Sequence, residues 1–147
     1  MCTGYISFCQ NKNDSGINRC IDEIKNENFD SVGDVKEIPV FITKGLKQKC
    51  GKRFHVLSDK DYRRKFKGYP YRTDLYRFQF AMKSAEYYLI KLWKDGDPYS
   101  TGYLAIFRCK ENKVIESYIL TGVFSESMKE VINQRNSSTW TLARECE

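Results

Sequence analysis

From Leu75 to Lys83 the chain alternates, with Tyr76, Phe78, Phe80 and Met82 on one side and Arg77, Gln79 and Lys83 on the other. A repeat of two is the mark of a half-buried β-strand, because successive side chains point to opposite sides of a pleated backbone. Glu86–Trp93 is apolar on both sides, Tyr88, Ile90 and Leu92 opposing Tyr87, Leu89 and Trp93, as a central strand would be. Asp95-Gly96-Asp97-Pro98 then interrupts with turn chemistry. Gly102–Cys109 and Val114–Leu120 predict two more strands, joined by a tight hairpin over Lys110-Glu111-Asn112-Lys113. Residues 75–121 therefore predict a four-strand antiparallel meander.

The period changes near both ends. Ile17, Cys20, Ile21 and Ile24 fall at helical spacing after Asp14 and Ser15, which predicts a short amphipathic helix from Ser15 to about Phe29. Residues 30–37 read as a loop. Ile38–Thr43 and Arg53–Ser58 read as short β-rich runs separated by Lys44–Gly51. Ser127-x-x-Glu130 matches a capping box, and Met128, Val131 and Ile132 then form an apolar stripe, so a second helix is expected there. Ser138–Arg144, carrying Trp140 and Leu142, closes the chain as a last strand. The expected fold class is mainly β (α+β): a single antiparallel β-rich domain over residues 1–147, barrel or sandwich, with an N-terminal helix and a helix before the last strand. A length of 147 residues with 41% apolar and 30% charged residues fits one globular domain with a real core. No apolar run approaches the roughly 20 residues of a membrane-spanning helix, so no transmembrane segment is expected.

If the meander closed into a barrel, Tyr76, Phe78, Phe80, Tyr88, Ile90, Leu92, Tyr103, Ala105 and Phe107 would line its interior. Seven or eight strands, a helix and a final strand in this length resemble the element order of the lipocalins. The Gly-x-Trp of their first strand is absent, the only tryptophans being Trp93 and Trp140. What the resemblance implies is a carrier of a small apolar ligand.

Charge adds a regional signal. The formal net charge is +6, yet twelve Lys and Arg between Lys44 and Gln79 are opposed only by Asp59, Asp61 and Asp74. That window alone carries a surplus of nine positive charges. The basic segment around residues 60–72, densest from Tyr62 to Arg72, nominates Lys60, Arg63, Arg64, Lys65, Lys67 and Arg72 as partner-binding residues. Arginine grips sulfate or phosphate with paired hydrogen bonds, and lysine supplies a mobile point charge. The expected partner is a polyanion (glycosaminoglycan or anionic phospholipid) or an acidic protein surface. Interleaved Tyr62, Phe66, Tyr69, Tyr71 and Tyr76 also suit stacking on single-stranded nucleic acid, the reading for an intracellular protein.

The compartment is read from cysteine. Cys2, Cys9, Cys20, Cys50, Cys109 and Cys146 make an even count with members near both ends and no C-x-x-C, which favours three disulfides over a zinc site. Asn13 and Asn136 open glycosylation sequons. Met1-Cys2-Thr3-Gly4 lacks the basic and apolar regions of a signal peptide, so secretion requires a processed chain to which Met1 was added. Enzymatic signals are few: His55 is the only imidazole, and neither a nucleophile elbow, a zincin helix nor a phosphate loop occurs. Asp95-Gly96-Asp97 lacks the oxygen ladder of a calcium loop. No catalytic residue, metal or cofactor is nominated. The expectation is a secreted, non-enzymatic binding or effector protein, with inhibition of an extracellular protein cascade as the activity that fits it.

Overall fold

A computed structural model of the chain describes residues 16–50, 55–66, 75–94, 100–134 and 141–143. In chain order the elements are α1 (16–24), β1 (Asp30–Val32), a 3-10 turn (Val35–Glu37), α2 (Val40–Cys50), β2 (His55–Leu57) and α3 (Asp59–Phe66). Then follow β3 (Leu75–Lys83), β4 (Tyr87–Lys94), β5 (Thr101–Lys110), β6 (Lys113–Thr121), α4 (Met128–Asn133) and β7 (Thr141–Ala143). All seven strands belong to one sheet of order β1-β3-β4-β5-β6-β7, with β2 pairing the same side of β3 as β1. β2 runs parallel along Leu75–Arg77, β1 runs antiparallel along Ala81–Lys83, and every other pair is antiparallel.

The expected mainly β, α+β fold is what forms, with its helix near the start and its helix before the last strand. The sheet is open rather than closed, so there is no barrel interior. Both of its faces are covered instead. Ile42 and Leu46 of α2 pack with Tyr76, Phe78, Tyr88, Ile90, Leu92, Tyr103, Ala105 and Phe107 on one face. Ile17, Cys20, Ile21 and Ile24 of α1 and Val131 of α4 pack with Met82, Tyr87, Leu89, Leu104 and Ile106 on the other. Eight of the nine residues expected to face inward therefore share a face, filled by a helix. Phe80 departs because a β-bulge between Phe78 and Phe80 shifts the register, pairing Phe78 with Leu92 and Phe80 with Lys91. One extra residue inverts the alternation beyond it, so Phe80 and Met82 join the α1 face.

The hairpin over Lys110–Lys113 forms as expected. Glu111 and Asn112 take φ of 51° and 57°, the two left-handed residues of a turn whose twist suits antiparallel strands. Ser127 caps α4, its hydroxyl accepting from the Glu130 amide, while the Glu130 carboxylate accepts from the Glu126 amide. Two expectations are corrected. Residues 30–37 contain β1 and a 3-10 turn, and Ile38–Thr43 begins a helix rather than forming a strand. Val40, Ile42 and Thr43 favour strands intrinsically, but Pro39 is preset for a helix start and its carbonyl accepts from the Ile42 and Thr43 amides. The gain comes from burying Ile42 and Leu46, one turn apart, on the sheet. Gly45 lets α2 come close: a Cβ there would sit 3.0 Å from the Phe107 ring.

Candidate functional site

The basic window of the sequence is gathered by three elements along one edge of the sheet. Helix α3 begins at Ser58, whose hydroxyl accepts from the Asp61 amide at 3.2 Å and donates to the Asp61 carboxylate at 3.1 Å. Asp59 and Asp61 in the first turn complement the positive end of the helix. Tyr62 is 2% exposed and fixes which side faces the protein. At about 100° per residue, position 60 falls on the opposite side, and Lys60 is exposed. The nominated Lys60, Arg63, Arg64 and Lys65 thus belong to one helix. Lys67 and Arg72 lie outside the described residues, as do Asn13 and Asn136.

Beside α3, β2 lies along the first half of β3, and α2 flanks β2 with Lys44 and Lys47 exposed, while Lys49 lies toward β6. Among the described residues, none of Lys36, Lys44, Lys47 and Lys60 makes an ion pair. His55, in β2, is exposed.

Positive charge continues inward from this edge. Arg77 of β3 pairs with Asp59 at 3.3 Å and lies 6.0 Å from the ring centres of both Tyr62 and Trp93. Its Nε is buried without a hydrogen-bond partner. Next to it Lys91 is completely buried, its Nζ donating to the Gln79 side-chain oxygen at 2.8 Å and the Leu92 carbonyl at 3.3 Å. The Trp93 ring centre lies 5.5 Å from the same nitrogen. Among the described residues no carboxylate pairs with this ammonium, and burial, helped by the charge of Arg77, lowers its pKa to about 8. Gly102 makes the room, since a Cβ there would stand 2.8 Å from Lys91 Nζ and 1.9 Å from the Val123 carbonyl oxygen.

Lys91 was not among the residues nominated from sequence. Its signal is visible there nonetheless: a single lysine inside Tyr87–Trp93, a segment otherwise apolar on both faces. A long cation in that setting is either buried or at an edge, and only the fold distinguishes the two.

The cysteines divide. Cys20 is buried on the α1 face and Cys109 packs against the α2 face, so these two cannot bridge each other, and both are free thiols. Cys2, Cys9 and Cys146, and the side chain of Cys50, lie outside the described residues. Burial raises the Cys109 thiol to about 11 and also raises Cys20. Both are held protonated at neutral pH, opposite to the activation a nucleophilic thiol needs.

No protein-family model, curated protein or solved structure matches the chain. Among the described residues no group of three or more His, Cys, Asp or Glu is placed to hold a metal ion, and no helix is long and apolar enough to cross a membrane. What the edge offers chemically is a set of hydrogen-bond-donating lysines, Lys44, Lys47 and Lys60, that make no ion pair among the described residues, backed by the buried charge of Lys91. Such an array attracts anions and steers their approach.

Proposed function

We propose that this protein works by binding, and that the basic edge formed by α2, β2 and α3 engages a polyanionic partner in an extracellular setting. The observation that carries the reading is the absence of ion pairs at the lysines of this edge. Lys44 and Lys47 of α2 and Lys60 of α3 are exposed and make no ion pair among the described residues, and a polyanion would replace their small counterions, with an entropic gain from counterion release. A sulfated glycosaminoglycan is the ligand that suits exposed cations spread over several elements without a deep cavity.

The test is retention on immobilised heparin of the wild-type protein and two charge-reversal variants matched in net charge. Lys60→Glu/Arg63→Glu/Arg64→Glu alters the edge, and Lys110→Glu/Lys113→Glu/Lys129→Glu alters exposed lysines elsewhere. The reading expects the first variant to elute at much lower salt than the second. Equal elution of the two would contradict it. The setting is tested separately by alkylating the unfolded, unreduced protein. An oxidising compartment would leave Cys20 and Cys109 as the reactive thiols, whereas six reacting thiols mean a reducing one and make nucleic acid the polyanion to try.

A further inference from the structure

Between α2 and β2 lies a cleft of about 300 Å³, at the small end of the range for small-molecule sites. Its floor is apolar: Leu46 is 1% exposed, and Val35, Ile38 and Val56 are partly buried against the same core. Three elements supply its polar members, Lys36 from the 3-10 turn, Thr43 and Lys47 from α2 and His55 from β2. No acidic side chain is among the described lining residues, and neither lysine is engaged in an ion pair.

We infer that this cleft binds a small amphipathic anion, a molecule with an apolar body and one carboxylate or sulfonate head. The apolar body covers Leu46 and Val56 and gains about 25 cal/mol for each Å² removed from water. The head meets Lys36 and Lys47, both flexible enough to close on it from opposite elements. A neighbouring cleft shows what a site without this preference looks like. It lies between α2 and β6 and is about 350 Å³, but Glu116 stands in its wall beside Gln48, Lys49 and Ser117. A carboxylate there opposes an anionic guest, and little apolar surface is available to hold one.

This inference goes beyond the polyanion reading and does not depend on α3. The test uses 8-anilinonaphthalene-1-sulfonate with the full chain. Saturable one-to-one fluorescence enhancement is expected, displaced by decanoate and not by decylamine. Lys36→Glu/Lys47→Glu should weaken binding by about tenfold or more, two lost charge-assisted contacts being worth at least 1.4 kcal/mol. Lys110→Glu/Lys113→Glu should leave it unchanged. Because His55 is the only histidine, its Cε1–H resonance in the wild-type protein is an unambiguous second readout and must move as decanoate is added. Absence of saturable enhancement, equal displacement by decylamine, undiminished binding by the Lys36/Lys47 variant or an unmoved His55 signal would each overturn the inference. Decanoate binding that survives the α3 reversal while heparin retention is lost, or the converse, separates the two readings.

Discussion

Two ends of the α1 face of the sheet use the same strands and hold their cations in opposite ways. At the Tyr87 end of β4, Arg19 lies 2.5 and 2.6 Å from the two oxygens of Glu116. Arg108 reaches Glu86 at 3.4 Å and Glu116 at 3.6 Å, and the Tyr87 hydroxyl donates to Glu23. At the Trp93 end, Lys91 has an amide oxygen, a carbonyl and an aromatic ring, and Arg77 has one carboxylate and two rings. The first end offsets desolvation by opposite charge; the second relies on dipoles and ring faces, which offset less of it. The first end is a clamp, tying α1 to β4, β5 and β6. The second is positive charge held in place behind an edge whose lysines Lys44, Lys47 and Lys60 make no ion pair among the described residues.

The largest expected effect comes from filling the space on which the second end depends. Gly102→Ala would force a Cβ into the Val123 carbonyl and the Lys91 ammonium, and should cost about 3 kcal/mol or more, read as a fall in the urea midpoint. A midpoint within experimental error of wild type would mean that Lys91 is not packed against Gly102.

Next in size is Lys91→Met. It removes a buried ammonium that no carboxylate among the described residues pairs with, and should be neutral or stabilising by about 1 kcal/mol at pH 7. The gain should vary with pH in a defined direction. The folded-state pKa is about 8 against 10.5 for an ordinary lysine, so between these values the unfolded chain holds a proton that the folded chain has released. Wild-type stability due to Lys91 therefore rises through that window, and the advantage of the Met variant should shrink as pH climbs from 8 to 10.5. A destabilisation independent of pH would indicate a neutral, hydrogen-bonded amine.

The smallest effect belongs to the paired end. Arg19, by its hydrogen bond first, holds the Glu116 carboxyl below its ordinary 4.5. A depressed carboxyl contributes stability above that value and loses it as pH falls further. Glu116→Gln should lower stability slightly at pH 7, by less in 1 M salt than in dilute buffer, and should flatten the acid limb of the stability curve. An unchanged acid limb would mean that the clamp contributes nothing to folding.

The sheet was legible in the sequence because its strands obey a period of two and the turn between β5 and β6 is marked by Lys110-Glu111-Asn112-Lys113. The ends of β3, β4, β5 and β6 fall within about a residue of the expected runs. What escaped has physical reasons. Val40, Ile42 and Thr43 favour strands, and only burial of Ile42 and Leu46 against the sheet makes that segment helical. The bulge at Gln79 leaves no mark in the pattern, so Phe80 was assigned to the wrong face. The basic cluster was legible as composition, but its helical geometry depends on the Ser58 cap and the anchoring of Tyr62. Neither the ion pairs that silence Arg19 and Arg108 nor the lack of them at Lys47 and Lys60 can be read from spacing, because the partners lie in distant parts of the chain.

The most direct test of the central claim is the affinity of the wild-type protein for a sulfated heparin oligosaccharide measured across a salt series. If the basic edge binds through three or four unpaired cations, affinity should fall linearly on a double-logarithmic plot, by on the order of a hundredfold between about 50 and 200 mM salt. An affinity that barely changes across that range would contradict the account.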